Sequence, residues 1–70
     1  MNDVVRLSVN LNQETAAALK DLARDQGLSM TEVMRRAISV YKFVIDERDG
    51  GRKIHTMDAD GRNVREMVMM

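Results

Sequence analysis

The run Val5-Arg6-Leu7-Ser8-Val9-Asn10-Leu11 alternates apolar and polar side chains without a miss, and no other feature constrains this chain as strongly. A period of two is the signature of a strand with one buried face and one exposed face. Leu7, Val9 and Leu11 share one face, and Arg6, Ser8 and Asn10 share the other. A single strand cannot satisfy its own backbone donors and acceptors, and no second strand follows at once to make a hairpin. The partner for Val5 to Leu11 must therefore come from elsewhere. Length narrows the choice. Seventy residues with no Cys, no Pro and one His cannot build two independent cores, a disulfide framework or a zinc site of the usual ligands. A chain this short buries too small a share of its surface to be comfortably stable alone, and of the natural remedies oligomerisation is the one left.

Asn12 follows the alternating run as a favourable N-cap, Glu14 falls in the first turn and Gly27 stands where a helix ends, so a first helix is predicted between them. Its apolar stripe is narrow: Ala16, Leu19, Leu22 and Ala23. Ser29-Met30-Thr31-Glu32 matches the capping box, with Leu28 and Val33 at the positions of a hydrophobic staple, and predicts the start of a second helix. Glu32, Arg35, Ser39, Lys42 and Asp46 form its polar ridge. Beside that ridge lie Met30, Val33, Met34, Ala37, Ile38, Val40, Tyr41, Phe43, Val44 and Ile45. That stripe is wider than one short helix and one strand can cover, so part of it is expected to meet another subunit.

Asp49-Gly50-Gly51 breaks the pattern and divides the chain into residues 1–48 and a C-terminal extension, residues 49–70. Within the extension, Lys53 to Met57 and Val64 to Met69 flank Asp58-Ala59-Asp60-Gly61, which reads as a short β-hairpin whose turn uses Gly61 at positive φ. Asp58 and Asp60 also resemble a fragment of a calcium loop, but Thr56 and Met67 would then occupy positions that need carboxylates, and the turn is preferred. Ile54, Val64 and Val68 offer apolar side chains at strand spacing, and Phe43 is the expected place for them to dock.

Lysine plus arginine equal aspartate plus glutamate at 11 each, so no global positive field drives the chain onto a polyanion. A binder of nucleic acid would have to place few cations well. Residues 1–10 contain Asp3 and no apolar core of a targeting signal, and the longest apolar stretch, Ile38 to Ile45, is interrupted by Ser39 and Lys42. No membrane association is expected, and a cytoplasmic location is. An enzyme is not expected either: His55 is the single imidazole and has no nucleophilic Cys or convincing Ser beside it. No catalytic residue, cofactor or metal is predicted.

In order and spacing, Arg6-Leu7-Ser8-Val9-Asn10-Leu11, the connection Gly27-Leu28-Ser29, and Thr31-Glu32-Val33-Met34-Arg35-Arg36-Ala37-Ile38 make residues 4–46 resemble the ribbon-helix-helix family, to which the CopG, Arc and MetJ repressors belong. The resemblance implies an α+β, mostly α, fold: an intertwined homodimer whose two N-terminal strands pair antiparallel into a ribbon that enters the major groove of DNA. Carried onto this chain, the base readers are Arg6, Ser8 and Asn10. Their chemistry suits the task, since Arg forks onto guanine, Asn pairs bidentately with adenine and Ser donates or accepts. The start of the second helix, at Ser29, Met30 and Thr31, would hold a DNA phosphate with its amides. On an arbitrary strand the same polar residues would be a solvated face, Ser29 is a cap before it is a ligand, and Arg35 and Arg36 are surface residues unless they reach the DNA backbone.

The function so implied is that of a sequence-specific regulator of transcription, a repressor that occludes its operator, of bacterial, phage or plasmid origin. Because the chain is neutral where many relatives are basic, binding would depend on two dimers side by side or on low salt. Antitoxins of this fold use a C-terminal extension to cover a toxin, which makes an autoregulating antitoxin the alternative. A dimeric adaptor without a DNA role is the third reading.

Overall fold

The computed structural model describes residues 4–68, so Asp3 and Met69, used above, lie outside it. Helix α1 spans Gln13–Gln26 and helix α2 Met30–Asp49; strands β1, His55–Thr56, and β2, Arg65–Glu66, follow. The chain divides into two compact units, Met1–Met34 and Arg35–Met70, with the boundary inside α2.

In the first unit the local signals act as expected. The Asn12 side chain accepts from the Thr15 amide at 2.7 Å and caps α1. At the other end Gly27 adopts φ 64° and ψ 35°, its amide donates to Arg24 and the Leu28 amide donates to Ala23 at 2.9 Å, a Schellman ending. A residue with a Cβ in that left-handed conformation is strained by about 1–2 kcal/mol, and only open space surrounds the Gly27 position, so the cost of a substitution is backbone strain rather than a clash. The Schellman turn carries Leu28 back toward the residues it should contact. Leu19, Ala23 and Val33 form the buried cluster, with Leu28 and Met34 packed against it. The stripe predicted for α1 is thus half used, because Leu22 stays 51% exposed.

Residues 4–11 take no regular secondary structure in the single chain, and both faces of the alternating run are exposed, Leu7 at 80% and Val9 at 56%. A strand is defined by its ladder, and within one chain this segment has no strand beside it.

In the second unit α2 ends as α1 does. The Gly51 amide donates to Arg48 and the Arg52 amide to Glu47, both at 2.9 Å. The chain then enters the hairpin. β1 and β2 pair antiparallel with His55 opposite Glu66 and Thr56 opposite Arg65, and the Met67 amide extends the ladder to Ile54 at 2.7 Å. Gly61 has φ 84°, as the turn requires, and the Asp58 carbonyl accepts from its amide at 2.8 Å. The strands are shorter than the sequence suggests. Asn63, at φ 55° between the expected turn and the expected second strand, binds the Asp58 carboxylate with its side chain, and the turn so widened leaves Met57 and Val64 outside the strands. The Asp60 carboxylate accepts from the Arg62 amide and pairs with the Arg62 side chain, which gives both aspartates work inside the turn.

One expectation is corrected. Among the described residues of the second unit Val44 is the buried one, at 7% exposure, whereas Phe43 remains 59% exposed. Adjacent helical positions differ by about 100° around the axis, and the chain leaving Gly51 returns on the Val44 side, where Val44, Ile54 and Met67 line one cleft. Val64 and Val68 stay exposed.

Candidate nucleic-acid interface

The candidate residues fall into two groups, both in the first unit. Arg6, Ser8 and Asn10 occupy alternate positions of the exposed N-terminal segment. Asn10 lies two residues ahead of the Asn12 cap, so the segment leads directly into a rigid helix start. Arg6 has no carboxylate within ion-pair distance among the described residues, unlike Arg24, which is shared by Asp21 at 3.3 Å and Asp25 at 3.2 Å.

Ser29, Met30 and Thr31 form the start of α2 and are exposed. The Ser29 hydroxyl oxygen accepts from the Glu32 amide at 3.1 Å and the Ser29 carbonyl from the Val33 amide at 3.1 Å. The opening amides of a helix lack intrahelical acceptors. With the Glu32 amide capped by Ser29, those of Met30 and Thr31 remain for an outside acceptor, at the end of a 20-residue helix whose dipole favours an anion. The position of this helix start is fixed by the Schellman turn at Gly27 and by Leu28 and Val33, which join the buried cluster on either side of Ser29.

Arg35 and Arg36 are exposed on the following turn of α2. His55 packs its Nε2 3.7 Å from Glu66 on the hairpin, a surface pairing rather than a catalytic arrangement. Among the described residues no group of three His, Cys, Asp or Glu side chains is placed to hold a metal ion, and no helix is long and apolar enough to cross a membrane. Alternation and capping could not reveal that Arg48, Arg52 and Lys53 gather around one cleft at the end of α2. The Gly50-Gly51 pair was the available signal, since a Schellman ending brings the next residue back over the last helical turn.

No curated protein and no solved structure matches the chain. A family model described as ribbon-helix-helix protein, copG family, matches residues 5–42, more than half of the 70 residues. The match takes in the alternating segment, α1 with both caps, the Gly27-Leu28-Ser29 connection and the first turns of α2. The two helices and the small antiparallel element fit an α+β protein of this kind. The chain therefore belongs to the copG family of ribbon-helix-helix proteins, whose members are in general DNA-binding transcriptional regulators or antitoxins rather than enzymes.

Proposed function

We propose that the protein is a sequence-specific repressor that binds double-stranded operator DNA as an intertwined homodimer. Residues 1–48 form the DNA-binding and dimerisation domain and residues 49–70 the extension. The observation that carries this reading is the exposed alternating segment joined to a capped two-helix unit inside the family match. In the dimer, two copies of Val5 to Leu11 pair antiparallel. Leu7, Val9 and Leu11 then turn toward the helices, and the apolar residues left exposed on α2, among them Ile38, Val40 and Tyr41, supply surface for the second chain to cover. The opposite face presents Arg6, Ser8 and Asn10, twice over, to the major groove. Ser29, Met30 and Thr31 of each chain hold a phosphate on either side and fix the ribbon in the groove.

Selection of bound DNA from a random pool, followed by titration of the selected site, tests the reading. Arg6→Ala is expected to lower affinity by about 1–3 kcal/mol per base contact and to relax preference at one operator position, with helix content unchanged. Equal binding by variant and parent would remove the ribbon as the reader.

The antitoxin reading has one observation in its favour. The hairpin lies outside the residues the family model matches and exposes Met57, Val64 and Val68. A toxin reading frame beside the gene, and loss of neutralisation on removing residues 52–70, would favour it over repression alone.

A further inference from the structure

The end of α2 and the hairpin enclose a cleft of about 190 Å³ that the DNA-binding reading does not use. Val44, Ile54 and Met67 give it an apolar wall, and Arg48, Arg52 and Lys53 place three cations along it, against Glu66 as its carboxylate. The Schellman ending at Gly51 makes this arrangement, since it turns Arg52 back over Glu47 and starts β1 beside the helix end. Val44 is buried and Ile54 half-buried, and the bond from the Met67 amide to the Ile54 carbonyl holds the two hairpin arms together across the wall.

We propose that this cleft binds a medium-chain aliphatic carboxylate, with its hydrocarbon body on Val44, Ile54 and Met67 and its carboxylate among Arg48, Arg52 and Lys53. Within the lining, cations outnumber carboxylates three to one, because Glu47 and Asp49, which pair with Arg52 and Arg48, lie outside it, and this favours an anion there. The existing ion pairs do not prevent it: Arg52 to Glu47 at 3.4 Å, Arg48 to Asp49 at 3.5 Å and Lys53 to Glu66 at 3.6 Å. All are longer than the roughly 2.7–2.9 Å of a strong charge-assisted bond. All three cations are well exposed, so these pairs are weak and exchange readily for a ligand oxygen. An inorganic anion would leave the apolar wall uncovered, and an uncharged hydrocarbon would leave the cations unused. The cleft is smaller than the roughly 300–1,000 Å³ of sites for drug-sized ligands, which limits the body to a single unbranched chain.

Titration of the full-length protein with octanoate, read by amide chemical shifts in solution, tests the assignment without DNA. Saturable shifts are expected at Arg52, Lys53, Ile54 and Met67, with octanol and acetate each weaker by about tenfold or more, since each lacks one of the two recognised parts. Arg52→Gln is expected to weaken octanoate about tenfold by removing one charged contact, while the amides of Asp58 to Asn63 keep the parent's positions. Should those amides move, Lys53→Gln gives the same reading from the other side of the cleft. Absence of saturable shifts, equal binding of octanol or acetate, or unchanged affinity in both variants would overturn the proposal.

Discussion

Ser29 is placed to do two things, and a pair of substitutions separates them. Its hydroxyl oxygen caps α2 through one exposed, neutral hydrogen bond of 3.1 Å from the Glu32 amide. Its position beside the Met30 and Thr31 amides puts it against the proposed phosphate. Replacing a capping residue with Ala costs about 0.5–2 kcal/mol, and an exposed neutral bond belongs in the middle of that range, about 1 kcal/mol per chain. If two chains unfold together, both caps are lost at once, about 2 kcal/mol. The larger unfolding entropy of the pair halves the shift per kcal/mol, so Ser29→Ala should lower the melting temperature by about 4–8 °C.

Ser29→Asp should behave differently. Aspartate is as good a cap as serine and its charge suits the helix dipole, so the melting temperature should stay within about 2 °C of the parent. The same carboxylate would face a phosphate. Two like charges about 4 Å apart repel by about 1–4 kcal/mol at surface dielectric values, which is about fivefold or more in affinity for the selected operator. The assays are thermal melts by circular dichroism at one chain concentration and operator titration at one salt concentration. Parent-like DNA affinity in Ser29→Asp would refute phosphate binding at the start of α2, and a parent-like melt in Ser29→Ala would refute the cap's contribution.

If the dimer is intertwined, the unfolding midpoint rises with chain concentration, because folding and association are one event; a folded monomer in sedimentation at micromolar concentration would remove that architecture. Removing residues 52–70 uncovers Val44, now at 7% exposure, and should lower the melting temperature while leaving operator preference intact; an unchanged melt together with unprotected Ile54 and Met67 amides would make the extension a free arm. The hydrogen bond from Lys42 to Asp46 at 2.8 Å, aided by the carboxylate's charge, raises the Lys42 pKa above its ordinary 10.5. The stabilising contribution of this pair is thus complete below that value and fades as pH rises through the higher folded one. Lys42→Gln should therefore leave the pH dependence of unfolding unchanged from pH 6 to 9 and alter it only above the ordinary lysine range; a difference at neutral pH would contradict the sign.

The legible parts of the fold were those decided within a few residues. Asn12 with Thr15, Gly27 with Ala23 and Arg24, and Ser29 with Glu32 each close a backbone hydrogen bond through local chemistry, and each appears where the sequence places it. The Asp58-Ala59-Asp60-Gly61 turn is of the same kind. Strand length was not legible, because Asn63 bonds back to Asp58 and widens the turn past Met57 and Val64, a choice that alternation cannot register. Nor was the exchange of Phe43 for Val44. Periodicity says that both lie on an apolar flank, but which one is covered depends on the direction in which Gly51 releases the chain, a property of the helix end and not of the stripe.

Net charge 0 bears on how such a protein would hold DNA. Several of its cations are matched within their own unit: Arg24 by Asp21 and Asp25, Lys42 by Asp46 and Arg62 by Asp60. A cation already beside a carboxylate releases little counterion on meeting a phosphate, so these residues add little to non-specific binding. Arg6 has no such partner among the described residues, and it sits on the proposed reading face. In a dimer that face carries the charge twice, while the amides of Met30 and Thr31 add phosphate contacts that need no net charge at all. The balance shifts from backbone attraction toward base edges, which predicts a high ratio of specific to non-specific binding and a shallow dependence of affinity on salt, so that neighbouring dimers rather than low salt would strengthen binding. It also explains why a single dimer would bind weakly. Few phosphates are neutralised per dimer, and adjacent sites filled by neighbouring dimers would raise occupancy without any change in the reading residues.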